Sequence, residues 1–389
     1  MNALQSHRFL MRIALAAVNL FAWIFVFQYF FAGSHDVAEA LLATVFIYAL
    51  VHVVILLVTP FSARRLRNGI KRPMTEGVVL AALAYSVLAL SFTGFFGIHI
   101  ILGIFLYAIL RGLYHALYWV PYSVDALQAG QRRPLTRIVQ EGTLALIPAL
   151  AGMVLTFGVS GLNVLFFSAA ALTLISIVPL RHIQEIHEGY SWGYIQSFRK
   201  LWTRRHRHVT SIAFLDGISG AVLLLFWPIA IFLLVGWSYA MLGIVMSVTY
   251  IFVFFTRSYV RGLLQKVQVE RSALVHAFLA VSGWILRLVV ATPLGVILVD
   301  SYFYTGSQVR GTGISTLTFD QSADSGSYID EFTTLKEMAL ALGKISICII
   351  GALFATTATL PITLIAVFLI AAGASGTSVF LSRQKIRFK

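Results

Sequence analysis

The run ILGIFLYAILRGLYHALYWVPYSVDALQAGQRRP at 101–134 carries the fold argument in miniature. Its apolar part exceeds the roughly 20 residues that a helix needs to cross a hydrocarbon core. It then ends in the basic pair Arg132 and Arg133. The same alternation runs through the chain. Lys and Arg gather at 8–12, 64–72, 132–137, 181–207, 257–271, 310–344 and 383–389, and the alternate gaps between apolar runs hold none. Basic loops stay on the cytoplasmic side of a membrane, so every basic gap, and both ends, are expected there.

Composition leaves no soluble alternative. Of 389 residues 59% are hydrophobic and 11% charged, and mean hydropathy is +0.87. Soluble domains carry roughly a quarter charged residues. The net charge of +14 would suggest nucleic acid in a soluble protein, but its loop-by-loop confinement excludes that partner. The single cysteine, Cys348, permits no intramolecular disulfide. The first apolar stretch has no small-residue cleavage site and is read as a retained helix.

About twelve spans follow from length and charge, near 12–32, 40–60, 76–94, 98–126, 139–157, 161–180, 209–235, 238–258, 272–291, 293–309, 336–356 and 360–381. The tenth is diluted by Asp300, Tyr302 and Tyr304, but omitting it would move the basic C-terminal tail outside. The expected class is an all-α, multi-pass protein of the cell (plasma or inner) membrane. It divides into a six-helix bundle at 1–180, a cytoplasmic loop at 181–208 and a second bundle at 209–389. The loop mixes Tyr190, Trp192, Tyr194, Phe198 and Trp202 with basic residues, which suits either an amphipathic helix at the headgroups or a solvated linker.

The stretch 101–134 also carries the chemistry. Tyr107, Arg111, His115, Tyr118, Tyr122 and Asp125 recur at intervals of three and four and share one helix face. An arginine facing lipid at mid-membrane costs several kcal/mol, about 3 on insertion scales, so this face is expected to look inward. Only Arg111 and Arg287 are read as lying deep in apolar runs, with Arg287 snorkelling to the outer surface. Asn19, Trp227 and Tyr304 join Arg111, His115, Tyr118 and Tyr122 as candidate solute contacts. Intramembrane carboxyl groups can take up and release protons, which makes Asp125, Asp216 and Asp300 candidate proton carriers. Arg111 suits a solute carboxylate or phosphate, or Asp216 or Asp300 in one state.

Two six-span halves with cytoplasmic ends resemble the major facilitator superfamily of secondary transporters. The loop PFSARRLRNGIKRPM at 60–74 keeps the basic, glycine-containing character of that family's signature between the second and third helices, without its aspartate. Glu141 in QEGTLAL and Glu337 in KEMALAL open the fifth and eleventh spans alike. The resemblance implies a cytoplasmic gate in which Arg64, Arg65 and Arg261 meet Glu141 and Glu337, and a cavity lined by the first, fourth, seventh and tenth helices. It implies transport of a small solute by alternating access, with protons as candidate coupling ion, no cofactor and a monomer in the lipid bilayer. The chain has no GxxxxGK[ST] phosphate loop, and none of its histidines falls in an HExxH or comparable metal spacing. A membrane-embedded enzyme, or a lipid scramblase or receptor on a transporter-like fold, is the alternative.

Overall fold

The computed structural model describes residues 3–128, 134–187, 189–266, 273–311 and 329–383, and among them there is no strand. The first half contains α1 (Ala3–Ser34), α2 (Val37–Arg65), α3 (Lys71–Phe92), α4 (Ile100–Gln128), α5 (Pro134–Leu155) and α6 (Val159–Leu180). The second contains α7 (Arg207–Leu234), α8 (Tyr239–Lys266), α9 (Ala273–Arg287), α10 (Pro293–Gly311), α11 (Ile329–Thr357) and α12 (Leu360–Arg383). Among the described residues, nine of these helices are long and apolar enough to cross a membrane. The apolar parts of α5 and α9 are shorter, and the tenth span of the sequence reading is the 19-residue α10.

Local chemistry sets several of the bends. Asp36 caps α2 by accepting from the Ala38 amide at 2.8 Å, which answers one of the amides that a helix start leaves without a partner. Within α7 the turn Val222–Phe226 widens to a π-helix. Pro228, two residues further on, has no N–H for the carbonyl of Leu224, and its ring crowds that carbonyl.

In the first half α4 packs on α2 and α3, and α1 on α2, α5 and α6; in the second, α7 packs on α11 and α12, and α10 on α8 and α9. The halves meet along α2 with α11 and α5 with α8. The second seam depends on glycine. A Cβ on Gly243 would strike the Pro148 carbonyl, and one on Gly152 would meet the Tyr239 carbonyl at 2.5 Å. Such backbone approach gives helices in lipid their van der Waals contact, because no hydrophobic force separates them from the tails.

The second half also encloses an ion pair. Arg287 Nη2 lies 2.7 Å from Asp300 Oδ1, with both side chains 0% exposed. Trp227 Nε1 donates to both Asp300 oxygens, at 3.0 and 2.9 Å. The guanidinium lies over the rings of Phe303, Trp284 and Trp227 at 4.1, 4.4 and 5.1 Å. This corrects the snorkelling reading of Arg287. The α9–α10 turn folds it back against Asp300, thirteen residues on, and the pair pins α7, α9 and α10 together.

Two further differences from the sequence reading concern charge. α1 begins at Ala3, and its cytoplasmic turn carries His7 and Arg8 into the protein, 0% and 8% exposed. Lys344, assigned to a basic gap, stands in the middle of α11.

Two tests follow from this packing. Gly243→Leu is expected to lower stability in detergent by about 2 kcal/mol, the usual range for overpacking. Gly373→Ala, with nothing within 4 Å of the added Cβ, is expected to cost nothing; thermal unfolding of the purified variants reads both. Asp300→Asn leaves a buried guanidinium without its counter-charge and is expected to cost about 3–5 kcal/mol. The double change Arg287→Met with Asp300→Leu is expected to recover most of that loss, measured by melting temperature and yield of monodisperse protein.

Candidate functional site

The membrane-spanning part of α4 delivers Arg111 to the protein interior, as its spacing predicts. One guanidinium nitrogen donates to the Tyr85 hydroxyl on α3 at 3.0 Å, and the other to Asn19 Oδ1 on α1 at 2.5 Å. The Tyr114 ring lies 5.1 Å from its carbon. Three helices of the first half therefore hold the group through neutral partners, and no carboxylate among the described residues pairs with it.

One turn further along α4, His115 Nε2 lies 3.1 Å from Glu337 Oε2 on α11. This bond crosses from the first half to the second. It is only partly covered, with side chains 24% and 13% exposed. His52 on α2 is buried with Nδ1 unpartnered, its ring 4.6 Å from that of Tyr48. Lys344 stands two turns above Glu337 and within Coulomb reach of Glu337 and Arg111. Asn19, His52, Arg111, His115, Glu337 and Lys344 thus form one polar centre among α1, α2, α4 and α11.

The remaining stripe residues divide between other places. The Tyr118 hydroxyl is 3.0 Å from His7 Nε2, and His7 Nδ1 is 2.8 Å from the Ser176 carbonyl. Tyr122 stacks on Tyr118 at 5.4 Å and lies 4.8 Å beneath the Arg8 guanidinium. These tyrosines, expected as solute contacts, instead brace α4 against the cytoplasmic turn of α1. Trp227 and Asp300 belong to the sealed pair, and Tyr304 packs beside it on Phe303 and Tyr250 at 5.6 and 5.9 Å. Asp216 is exposed and accepts from Ser378 on α12 at 2.5 Å. Asp300 is therefore a partner of Arg287 rather than of Arg111. The side chains of Asp125 and Arg261 lie outside the described residues.

The expected gate residues are also differently engaged. Arg65 pairs with Glu76 on α3 through two contacts of 2.5 and 2.7 Å, Arg64 is exposed, and Glu141 is half-buried. Glu337 meets His115 in the interior, because it enters α11 two turns after the helix start and points at α4. At the cytoplasmic end the linker supplies the cross-half contacts. Arg67 grips the Tyr190 carbonyl with two nitrogens, at 3.0 and 2.6 Å. Glu185 Oε1 accepts the Lys71 amide at 3.0 Å and fills the space where Gly69, at φ +98°, has no Cβ. The next residues reach the second half, where Ser191 gives its amide and hydroxyl to Glu331 on α11 at 3.1 and 2.8 Å.

The linker then forms the short helix Tyr194–Leu201, and Tyr194 donates to the Leu57 carbonyl of α2 at 3.0 Å. Both expectations for 181–208 miss this docking onto protein. Burial pushes the Tyr190 hydroxyl up to about 12. Burial, with Arg205 and Lys200 nearby, pulls His206 below its ordinary value.

At the outer end aromatic side chains close α1 onto the α7–α8 turn. Phe25 stacks on Tyr239 at 4.9 Å, Phe31 meets Trp237 at 4.5 Å, and the Tyr239 hydroxyl donates to Gln28. A cavity of about 550 Å³ between α1, α2, α4 and α11 has an apolar lining apart from Glu39 and contains none of the polar centre.

Sequence reasoning missed Lys344 and His52. Lys344 was legible, since it follows Glu337 by seven residues and precedes Cys348 by four, one face of a helix. His52 gave no comparable signal as a lone histidine in an apolar run.

No family model and no curated protein matches the chain. Solved structures do. The peptide transporter POT superposes with a TM-score of 0.61 at 14% identity, covering 98% of this chain and 93% of that one. The human organic anion transporter MFSD10 gives 0.62 at 13%, covering 98% of both chains. A D-xylose-proton symporter gives 0.65 at 12%, covering 96% of both. With identities this low the likeness concerns architecture: the chain shares the fold of these solved structures.

Proposed function

We propose that this protein is a secondary active transporter that moves a small solute across a cell membrane by alternating access, with protons as the coupling ion. The observation that carries this reading is the His115–Glu337 bond, 3.1 Å long and partly exposed, joining the two halves beside Arg111. The solved structures of the same fold include a proton symporter and a peptide transporter, which supports transport over enzymatic chemistry.

The mechanism follows from charge. Arg111, held by neutral partners, offers its guanidinium to an anionic group of the solute, since charge-assisted hydrogen bonds are the stronger ones. Glu337 is held to His115 as a charged acceptor. A proton on Glu337 removes that charge and weakens the bond between halves, so proton uptake and separation of α4 from α11 are one event. The halves 1–180 and 209–389 then rock about the α2–α11 and α5–α8 seams. The linker holds their cytoplasmic ends while the aromatic contacts of Phe25, Phe31, Trp237 and Tyr239 open or close the outer end. The transporter works as a monomer.

Reconstituted liposomes carrying a pH-sensitive dye provide the test, with organic acids, amino acids, peptides and sugars added in turn under an inward proton gradient. At least one solute is expected to drive proton entry. Arg111→Ala is expected to weaken that solute's apparent affinity about tenfold to a hundredfold, the worth of a charged hydrogen bond. Glu337→Gln is expected to retain solute exchange and lose its dependence on the proton gradient. Proton entry unchanged in both variants overturns the assignment.

A further inference from the structure

The polar centre holds more positive charge than its own carboxylate can answer. Among the described residues Arg111 hydrogen-bonds to Tyr85 and Asn19, both neutral. Glu337 is the acidic side chain at the centre, and its oxygen is engaged by His115. Lys344 is half-buried on α11 and makes no hydrogen bond or ion pair within 4.0 Å among the described residues. Its stem runs past Gly220 of α7, where an added Cβ would stand 4.0 Å from the lysine Cε, at van der Waals contact. An ammonium in mid-membrane without an acceptor is expensive, and charges at such depth mark pathways for polar solutes. Arg111 lies one turn before His115 on α4 and Lys344 two turns after Glu337 on the antiparallel α11, so two cations, one from each half, stand on the same side of the His115–Glu337 bond on packed helices.

We propose that Arg111 and Lys344 together bind a small dianion, such as a dicarboxylate or a phosphate, with one acidic group on each half. This deepens the transporter reading and rests on the same site. The division between halves has a consequence. A monoanion satisfies Arg111 alone and leaves α11 free, whereas a dianion ties α4 to α11 through its own body. It thereby replaces the His115–Glu337 bond as the connection between the halves when Glu337 takes up its proton. A neutral sugar meets neither cation, and a peptide brings a like-charged amine towards one of them. Guanidinium and ammonium also differ in use. Arg111 is fixed by two hydrogen bonds and presents a planar fork, while Lys344 is a flexible point charge that can follow solutes of different length.

Thermal-shift titrations of the purified full-length protein test this with defined probes at matched ionic strength. Malonate, succinate, glutarate and inorganic phosphate serve as dianions; the monomethyl esters of the three diacids serve as monoanions. At least one dianion is expected to stabilise the protein with a half-saturating concentration about tenfold or more below that of its monoester. Lys344→Gln is expected to make the two equal while keeping the monoanion shift, and Arg111→Gln to abolish both. Lys344→Met, better suited to lipid, replaces the glutamine variant if that one does not fold. In the absence of any anion it is expected to raise the melting temperature, because it removes an uncompensated charge, whereas a structural lysine would lower it.

The proposal is overturned if no probe shifts the wild-type protein, if dianion and monoester act alike, or if removing Lys344 leaves the preference intact. Failure of the wider reading looks different. It shows as dianion binding by the wild-type protein with no proton-linked uptake in liposomes, whereas Arg111→Gln binding anions normally overturns both readings.

Discussion

Hydrocarbon offers a charge nothing to bond to, so an ionised group at membrane depth is costly until the protein, or a polar species bound to it, answers the charge. This constraint organises most of the structure. It folds α9 back on α10 so that Arg287 meets Asp300, draws Asn19 and Tyr85 towards Arg111, and links α4 to α11 through His115 and Glu337. The backbone obeys the same rule by satisfying its own groups in helices. Once the helices exist, the charges decide which faces turn inward, and therefore which helices become neighbours.

The fold was largely legible because its signals are long-range averages. Apolar run length and the siting of basic loops do not depend on any one contact, so the tenth span could be inferred despite Asp300, Tyr302 and Tyr304. The fourth helix was legible for a different reason. Its polar residues recur at helical spacing, and several coincidences on one face outweigh the penalty attached to any single residue. Arg111 was turned inward on that basis; Asn19 came from the resemblance, as a solute contact on the first helix, and the structure bonds the two side chains to each other.

Partner choice was less legible, since it depends on distances between helices far apart in sequence. Tyr118 lies on the same face as Arg111, yet its hydroxyl meets His7, 111 residues away. Nothing local announces that α1 begins as early as Ala3 and so brings His7 there. Asp300 was recognised as buried and polar, but its cation was sought on α4 when it lay across the next turn. Lys344 closes the run of basic residues at 310–344 and so resembles the end of a loop, although a helix starting at Ile329 puts it in mid-span. The linker illustrates the limit most clearly. Its aromatic and basic composition is that of an interfacial helix, while its actual partners are the Leu57 carbonyl, Glu331 and the bare Cα of Gly69.

The two main ion contacts differ in a way that separates structure from movement. Arg287 and Asp300 come from helices of one half and are fully enclosed, with indoles and a phenyl ring around the guanidinium. With both side chains 0% exposed, separating them would leave two bare charges in an apolar core. That pair can only hold. His115 and Glu337 come from different halves and keep part of their surface open. Each can exchange its partner for water, a proton or a solute without being stranded, so the cost of parting them is small enough to be met by binding energies of a few kcal/mol, the usual scale of coupling between sites. The proposed rocking of one half against the other requires this combination: an internal bond too costly to break, and a shared bond that can be broken and remade.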